Sequence, residues 1–307
     1  MYSRCRAVQW PVEMRMSDST PKGPDLPLRK PIGWVDVVQT LWTIRGLSLD
    51  APRKRQLRRT WLRTFWRGRV DAARRSAEIA GFRVSYCTYR SLHHLFRELF
   101  VGQEYGWRLD TPRPRIFDCG SNIGLSVLYF KWMYPEAVVT AFEPDAEAFA
   151  CLEANMRDNG LSGVELHRKA VAGRAGVLDF FVNPGHPGSL QMSLNPTRQG
   201  QETHRVEAVT LSGFIDQPVD LLKLDVEGAE VEVIRELISS GAIQHIRRMA
   251  IEYHHHLEAE QDAFSVLLRM LEDAGFGYQL HARHGRPVEP RRFQDVLVFA
   301  YARRPTS

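Results

Sequence analysis

Residues 115–124 read Arg115-Ile116-Phe117-Asp118-Cys119-Gly120-Ser121-Asn122-Ile123-Gly124, and this stretch decides the fold. An apolar run ends in an acid. A glycine follows, then a second glycine four positions on, and the helical pattern 124–134 begins. A strand, a tight turn and a helix in that order put a loop at the carboxyl end of a strand, where doubly wound sheets hold their ligands. Gly120 and Gly124 carry no side chain, which predicts a close approach of backbone to ligand. Asp118 is placed to accept hydrogen bonds from a cationic amine or from ordered water, with Ser121 and Asn122 beside it in the turn. The dinucleotide fingerprint GxGxxG is absent. A pyrophosphate asks for a bare helix N-terminus. A carboxylate beside backbone amides suits an amino acid of methionine type instead.

Working outward, apolar strand runs cover 115–119, 137–142, 164–168, 219–224, 246–253, 276–281 and 295–301, and helical patterns cover 124–134, 146–159, 230–239 and 261–274. Strands alternating with helices of this length predict an α/β protein with a mostly parallel sheet covered on both faces. The last two strands have only a loop between them, so the sheet should close with an antiparallel strand. The second strand ends in Ala141-Phe142-Glu143-Pro144. A carboxylate about 20 to 25 residues past a glycine loop can accept both hydroxyls of a ribose. The turn after the third strand, around Ala170, should line the attached base through backbone contacts.

The fourth strand runs into Leu221-Leu222-Lys223-Leu224-Asp225-Val226-Glu227-Gly228-Ala229-Glu230, and the fifth carries Ile251-Glu252-Tyr253-His254. With DCGSNIG and AFEP these stretches resemble the FkbM-type family of class I S-adenosylmethionine-dependent methyltransferases, over roughly residues 82 to 300. KLDVEGAE is the most family-specific part. The resemblance implies a Rossmann-like class I methyltransferase fold with a seven-stranded sheet. It also implies methyl transfer from S-adenosylmethionine, leaving S-adenosylhomocysteine, usually to a hydroxyl oxygen of a natural product or sugar. Carried over by position, Asp118, Gly120 and Asn122 would hold the methionine end and Glu143 the ribose, with Ser121, Gly124, Ala170 and Asp225 also counted as cofactor-binding, while Lys223, Asp225, Glu227 and Glu230 match the signature stretch. Gly188-Ser189-Leu190 resembles a family position near the cofactor.

A neutral alcohol is a poor nucleophile, and a positioned base adds about 10² to 10⁴ in rate. Candidates sit at strand carboxyl ends: Asp225 after the fourth strand, Glu252 and His254 on the fifth. His254 ranks first because imidazole titrates near neutral pH, and Asp225 second. A divalent cation shared by Asp225, Glu252 and His254 is the alternative use of these groups. It is disfavoured, because the signature lacks a second adjacent Asp and Asn pair. Lys223 could instead snorkel to the surface, and Glu230 could simply occupy the first turn of a helix.

Composition is that of an ordinary globular chain, with 307 residues, 44% hydrophobic and 25% charged. No apolar run reaches the roughly 18 residues a membrane helix needs, and no signal peptide is legible, so a cytoplasmic location is expected. Cys5, Cys87, Cys119 and Cys151 are scattered, without a CxxC pair. The net charge of +5 is uneven, since residues 53–75 hold ten Arg or Lys against one acid, Asp71.

Residues 1–31 are Pro-rich and read as a linker, with Met14 and Met16 as further start candidates. Residues 32–81 read as a basic helical extension with helices over 33–47 and 53–79. A strand over 82–87 and a short helix over 92–100 open the domain 82–307. The arginine-rich helix suits an anionic surface, or simply a solvated face over a packed one. Pairing of two copies through these helices is a further expectation. The competing functions are a nucleic-acid methyltransferase, a non-catalytic S-adenosylmethionine-binding protein and a nicotinamide-dependent dehydrogenase. The [DN]PP[YF] loop of base methyltransferases is replaced here by Asp225-Val226-Glu227-Gly228, and a polar loop over 183–203 is expected to border the acceptor.

Overall fold

The computed structural model describes residues 33–66, 71, 73–182, 202–255, 264–282 and 294–303. Two helices open it, α1 (Trp34–Gly46) and α2 (Ala51–Thr60), the second continuing as a wider π turn over Trp61–Trp66. Asp50 caps α2 by accepting from the Arg53 backbone N–H at 2.8 Å, and Pro52 sits in its first turn, where a missing donor costs nothing. Strands β1 (Ser76–Ile79) and β2 (Phe82–Ser85) form an antiparallel hairpin around Ala80-Gly81. The helix expected over 53–79 therefore ends early, with residues 76–79 in β1. Arg75 and Ala80 take positive φ on either side of that strand, a turn signal that a run of ordinary helix formers hides. The domain boundary expected at 81/82 falls inside the hairpin. Helix α3 (Tyr89–Phe96), followed by a second π turn over Arg97–Gly102, completes this part.

The catalytic-type domain is a seven-stranded sheet. Its strands are β3 (Arg115–Cys119), β4 (Val138–Phe142), β5 (Val164–His167), β9 (Leu221–Leu224), β10 (Arg248–His255), β11 (Phe276–Ala282) and β12 (Gln294–Ala302). The spatial order is β11-β12-β10-β9-β3-β4-β5. β12 runs antiparallel to both neighbours, and the pairings among β10, β9, β3, β4 and β5 are parallel. This is the expected doubly wound architecture with a reversed closing strand. The order turns back between β3 and β9, which creates a switch point at their carboxyl ends. Helices α4 (Leu125–Met133), α5 (Ala146–Asp158), α6 (Glu230–Ser239) and α7 (Phe264–Asp273) cover the faces. All four residues of β9 are buried, as expected of a central strand shielded on both faces.

A second, three-stranded sheet was not foreseen. It is formed by β6 (Ala170–Val171), β7 (Gly176–Val182) and β8 (Glu202–Val209) in the order β6-β8-β7. The polar loop expected over 183–203 and the Gly188-Ser189-Leu190 segment fall almost wholly outside the described residues.

The N-terminal helices are built into the domain. One apolar cluster runs from Ile44, Leu57 and Trp61 through Phe96 and Phe100 to Tyr129, Trp132 and Ile116. Arg53 reaches across to the end of α4, donating to the carbonyls of Trp132 (3.0 Å) and Met133 (3.2 Å), with its guanidinium 5.5 Å from the Trp132 ring centre. Those carbonyls are the ones a helix C-terminus leaves without an internal partner.

Candidate active site

The loop after β3 folds over the end of β4. The N–H groups of Gly120 and Ser121 donate to the Phe142 carbonyl (3.0 and 2.9 Å), and the Asn122 N–H donates to Glu143 Oε2 (2.8 Å). Asn122 has φ +47°, a left-handed conformation that Asn tolerates better than most residues. Glu143 is buried, and its Oε1 accepts from the Asp145 N–H at 2.8 Å. Each of its oxygens keeps capacity for one more hydrogen bond, the acceptor pattern a vicinal diol requires. Burial pushes the Glu143 carboxyl up to about 7, against the pull of its backbone donors.

Both glycines also allow close packing within the protein. A Cβ on Gly120 would sit 1.9 Å from the Asp225 carbonyl oxygen, and φ there is +83°. A Cβ on Gly124 would sit 2.4 Å from Leu152 Cδ1. Gly120 thus lets the loop after β3 touch the loop after β9, and the Asp225 N–H donates to the Cys119 carbonyl at 3.1 Å.

Lys223 does not reach the surface. It is buried, with Nζ 3.1 Å from Asp225 Oδ2 and 3.5 Å from Asp118 Oδ1, and it donates to the Gly120 carbonyl. Burial disfavours its charge, but Asp225 and Asp118 outweigh that and hold the ammonium on. Asp118 is also fully buried, accepting from Ser126 Oγ at 2.5 Å. Its contacts are internal, so its carboxylate anchors Lys223 and α4 beneath the loop. Ser121 Oγ donates to the Asp118 carbonyl at 2.9 Å, and Ala170 is buried in β6, in register with Ala208.

On the other side of Asp225 lies His254, also buried. Its Nδ1 is 2.9 Å from Glu230 Oε1, while Nε2 is 3.4 Å from Glu227 Oε2 and 3.8 Å from Asp225 Oδ1. Glu230 is not merely a first-turn residue, because its Oε1 also accepts the Gly228 N–H at 3.0 Å. Burial disfavours the imidazolium, but Glu230 and then Glu227 outweigh it and raise the His254 pKa well above the usual histidine value. Glu252 is pushed well above the carboxylate range by burial and by Asp225. The Tyr105 hydroxyl donates to Glu252 Oε2 (2.6 Å) and lies 3.5 Å from Asp225 Oδ2, and its ring is 5.3 Å from Lys223 Nζ. Tyr105 was absent from the sequence reading. It lies outside the strand pattern, and nothing local marks it.

Two groups have ligand-type atoms within 4.8 Å of one another, Asp225 with Glu227 and His254, and Glu252 with His254 and Asp295. The trio considered for a cation, Asp225, Glu252 and His254, is divided between them. Lys223 Nζ (3.1 Å) and His254 Nε2 (3.8 Å) face the two carboxylate oxygens of Asp225 from either side.

The strand order, the acid-terminated glycine loop, Glu143 and the KLDVEGAE turn coincide with a match of the Methyltransferase FkbM domain to residues 118–278. The chain belongs to the FkbM methyltransferase family. Family relatives include Methyltransferase 1 of Beauveria bassiana, 31% identical over 47% of this chain and 66% of its own. Methyltransferase sdnD of Sordaria araneosa is 32% identical over 46% and 67%. The 2-O-methyltransferase NoeI of Sinorhizobium fredii is 27% identical over 62% and 81%. The chain spans about two thirds of the length of the two fungal relatives.

Proposed function

We propose that this protein transfers a methyl group from S-adenosylmethionine to a hydroxyl oxygen of a small molecule such as a natural product or sugar. The observation that carries this reading is the contact between the two halves of the site. The Gly120–Asp225 approach joins a cofactor-type loop to a cluster of proton-handling side chains at adjacent strand ends. The Sinorhizobium relative's name supports oxygen as the acceptor atom.

The residues fit the cofactor. Glu143 offers two carboxylate oxygens for a ribose diol, and the turn 120–122 adds backbone groups for the amino-acid end. When bound, S-adenosylmethionine supplies an electrophilic methyl on a good leaving group. What the chain must add is alignment, worth several kcal/mol, and an acceptor for the hydroxyl proton. The carboxylates around His254 favour its protonated form, which is a poor acceptor for that proton. We therefore assign the role to Asp225, which lies between Lys223 Nζ (3.1 Å) and His254 Nε2 (3.8 Å). In that transfer Asp225 would accept the hydroxyl proton of the acceptor and pass it on to solvent. The Tyr105 hydroxyl, donating to Glu252 at 2.6 Å and 3.5 Å from Asp225 Oδ2, would border the acceptor oxygen and help orient it.

A panel of hydroxylated acceptors, read by S-adenosylhomocysteine release and by mass gain of a methyl group, tests this. Methyl ethers on an acceptor are expected. Product confined to tRNA or DNA, or cofactor binding with no product from any acceptor, would replace this reading with one of the competing ones.

A further inference from the structure

We propose that the N-terminal helical hairpin is a docking surface for an anionic lipid bilayer. The exposed large hydrophobic residues are concentrated on α1, where Trp34, Val35, Val38 and Trp42 are 70%, 77%, 63% and 64% exposed. Trp34, Val38 and Trp42 recur every four residues and so form one stripe. The opposite side of α1 holds Val37, Thr40 and Ile44 against the core. The helix is therefore apolar on two sides, and among the described residues only one of them is covered. A contiguous patch of this kind on a surface otherwise dotted with single apolar residues marks an interaction site.

Positive charge runs beside the stripe. Trp34 meets Trp66 at 5.0 Å between ring centres, and Lys54 Nζ donates to the Arg45 carbonyl at 3.0 Å. Start thus meets end and end meets start, so α1 and α2 with its π extension lie antiparallel. Arg45 continues the α1 stripe one turn beyond Trp42. Arg55, Arg59 and Arg63 are exposed at four-residue spacing on the neighbouring helix. The α2 sequence contains no acid. Among the described residues, Arg45, Arg55 and Arg59 have no carboxylate partner.

An apolar stripe carrying two tryptophans, flanked by arginines, is the pattern of a helix lying in a membrane interface. Tryptophan favours the headgroup level, and arginine is drawn to anionic lipid. A nucleic acid would satisfy the arginines but offers nothing to Val35 and Val38. A second copy, docked about a twofold axis, would bring like-charged arginine rows together. The attachment is peripheral: no described helix is long and apolar enough to cross a membrane. The inference is independent of the chemistry proposed for the active site.

The test is co-sedimentation of the full chain with vesicles of phosphatidylcholine alone and of phosphatidylcholine mixed with phosphatidylglycerol. The chain is expected to pellet with the anionic vesicles and to be released by salt. The double variants Trp34→Ser/Trp42→Ser and Arg55→Glu/Arg59→Glu should each weaken that binding by about tenfold or more. All four side chains are exposed, and unchanged S-adenosylhomocysteine binding would show the fold intact. Absence of binding to anionic vesicles overturns the proposal. So does binding that ignores lipid charge, self-association lost in the tryptophan variant without vesicle binding, or tRNA binding in its place.

Discussion

His254 Nδ1 lies 2.9 Å from Glu230 Oε1, and both side chains are buried. The pair links the first turn of α6 to the end of β10 and orients the imidazole so that Nε2 faces Glu227 and Asp225. Because the folded-state pKa of His254 is raised, the stability it contributes is fully present below the unfolded histidine value of about 6.5. That stability is lost as pH rises through the higher folded value. Glu230→Gln should lower the Tm by an amount equivalent to about 2 kcal/mol near neutral pH. It should also flatten the fall in Tm on the alkaline side. Unfolding curves of both proteins across neutral to alkaline pH would check this, and parallel curves would contradict it.

Glu143→Ala is expected to abolish S-adenosylhomocysteine binding measured by calorimetry. In the unmutated chain the carboxyl titrates at about 7. Ribose hydroxyls donate to the ionised form, so affinity should weaken as pH falls below that value, by up to about tenfold per pH unit. Glu143→Gln should bind weakly with a flat profile. An affinity independent of pH from acid to alkaline would remove Glu143 from the ribose site.

Asp225→Asn should retain cofactor binding and lose about 10² to 10⁴ in turnover, the usual worth of a positioned base. His254→Ala should also spare binding and slow turnover, because it removes the ring that stands 3.8 Å from Asp225 and helps position it. If Asp225→Asn turned over normally, proton acceptance would lie elsewhere. The signature lacks a second adjacent Asp and Asn pair, so turnover is expected to be indifferent to chelators such as EDTA, and restoration of chelated enzyme by a divalent metal would contradict that.

Tyr105→Phe removes the hydroxyl that donates to Glu252. The ring and its contact with Lys223 remain, so the fold should lose only about 1 kcal/mol. Acceptor KM should rise and turnover fall, with cofactor affinity unchanged. Loss of cofactor binding alone would assign Tyr105 a purely structural role.

Gly120→Ala places a methyl group against the Asp225 carbonyl in a left-handed backbone, and neither partner can yield. A destabilisation above about 3 kcal/mol is expected from thermal unfolding. Gly124→Ala meets the flexible end of Leu152 and should cost less.

The strands of the main sheet are legible because central parallel strands are apolar on both faces and turn residues bound them. Residues at strand carboxyl ends, such as Glu143, Asp225 and His254, inherit their location from topology, so the site could be placed before any contact was known. What each group touches could not. Lys223 looks like a surface lysine until Asp118 and Asp225 are seen on either side of it. Tyr105 arrives from an irregular segment through packing alone. β1 was hidden because helical apolar spacing continues up to Val70, whereas β2 lies within the strand expected over 82–87; the small sheet of β6, β8 and β7 was hidden because its strands flank a polar stretch.

The reach of Arg53 to the carbonyls of Trp132 and Met133 bears on how the protein can be cut. The helix it caps begins at Gly124, directly behind the turn that approaches Asp225. Through α4 the Arg53 contact is therefore joined to the cofactor-type turn. Trimming the chain to the family-matched segment would remove that tether. The remaining domain should hold its ligand less tightly, even though every residue near the ligand is still there. A deletion that looks peripheral in sequence would thus reach the end of the helix that follows the binding turn.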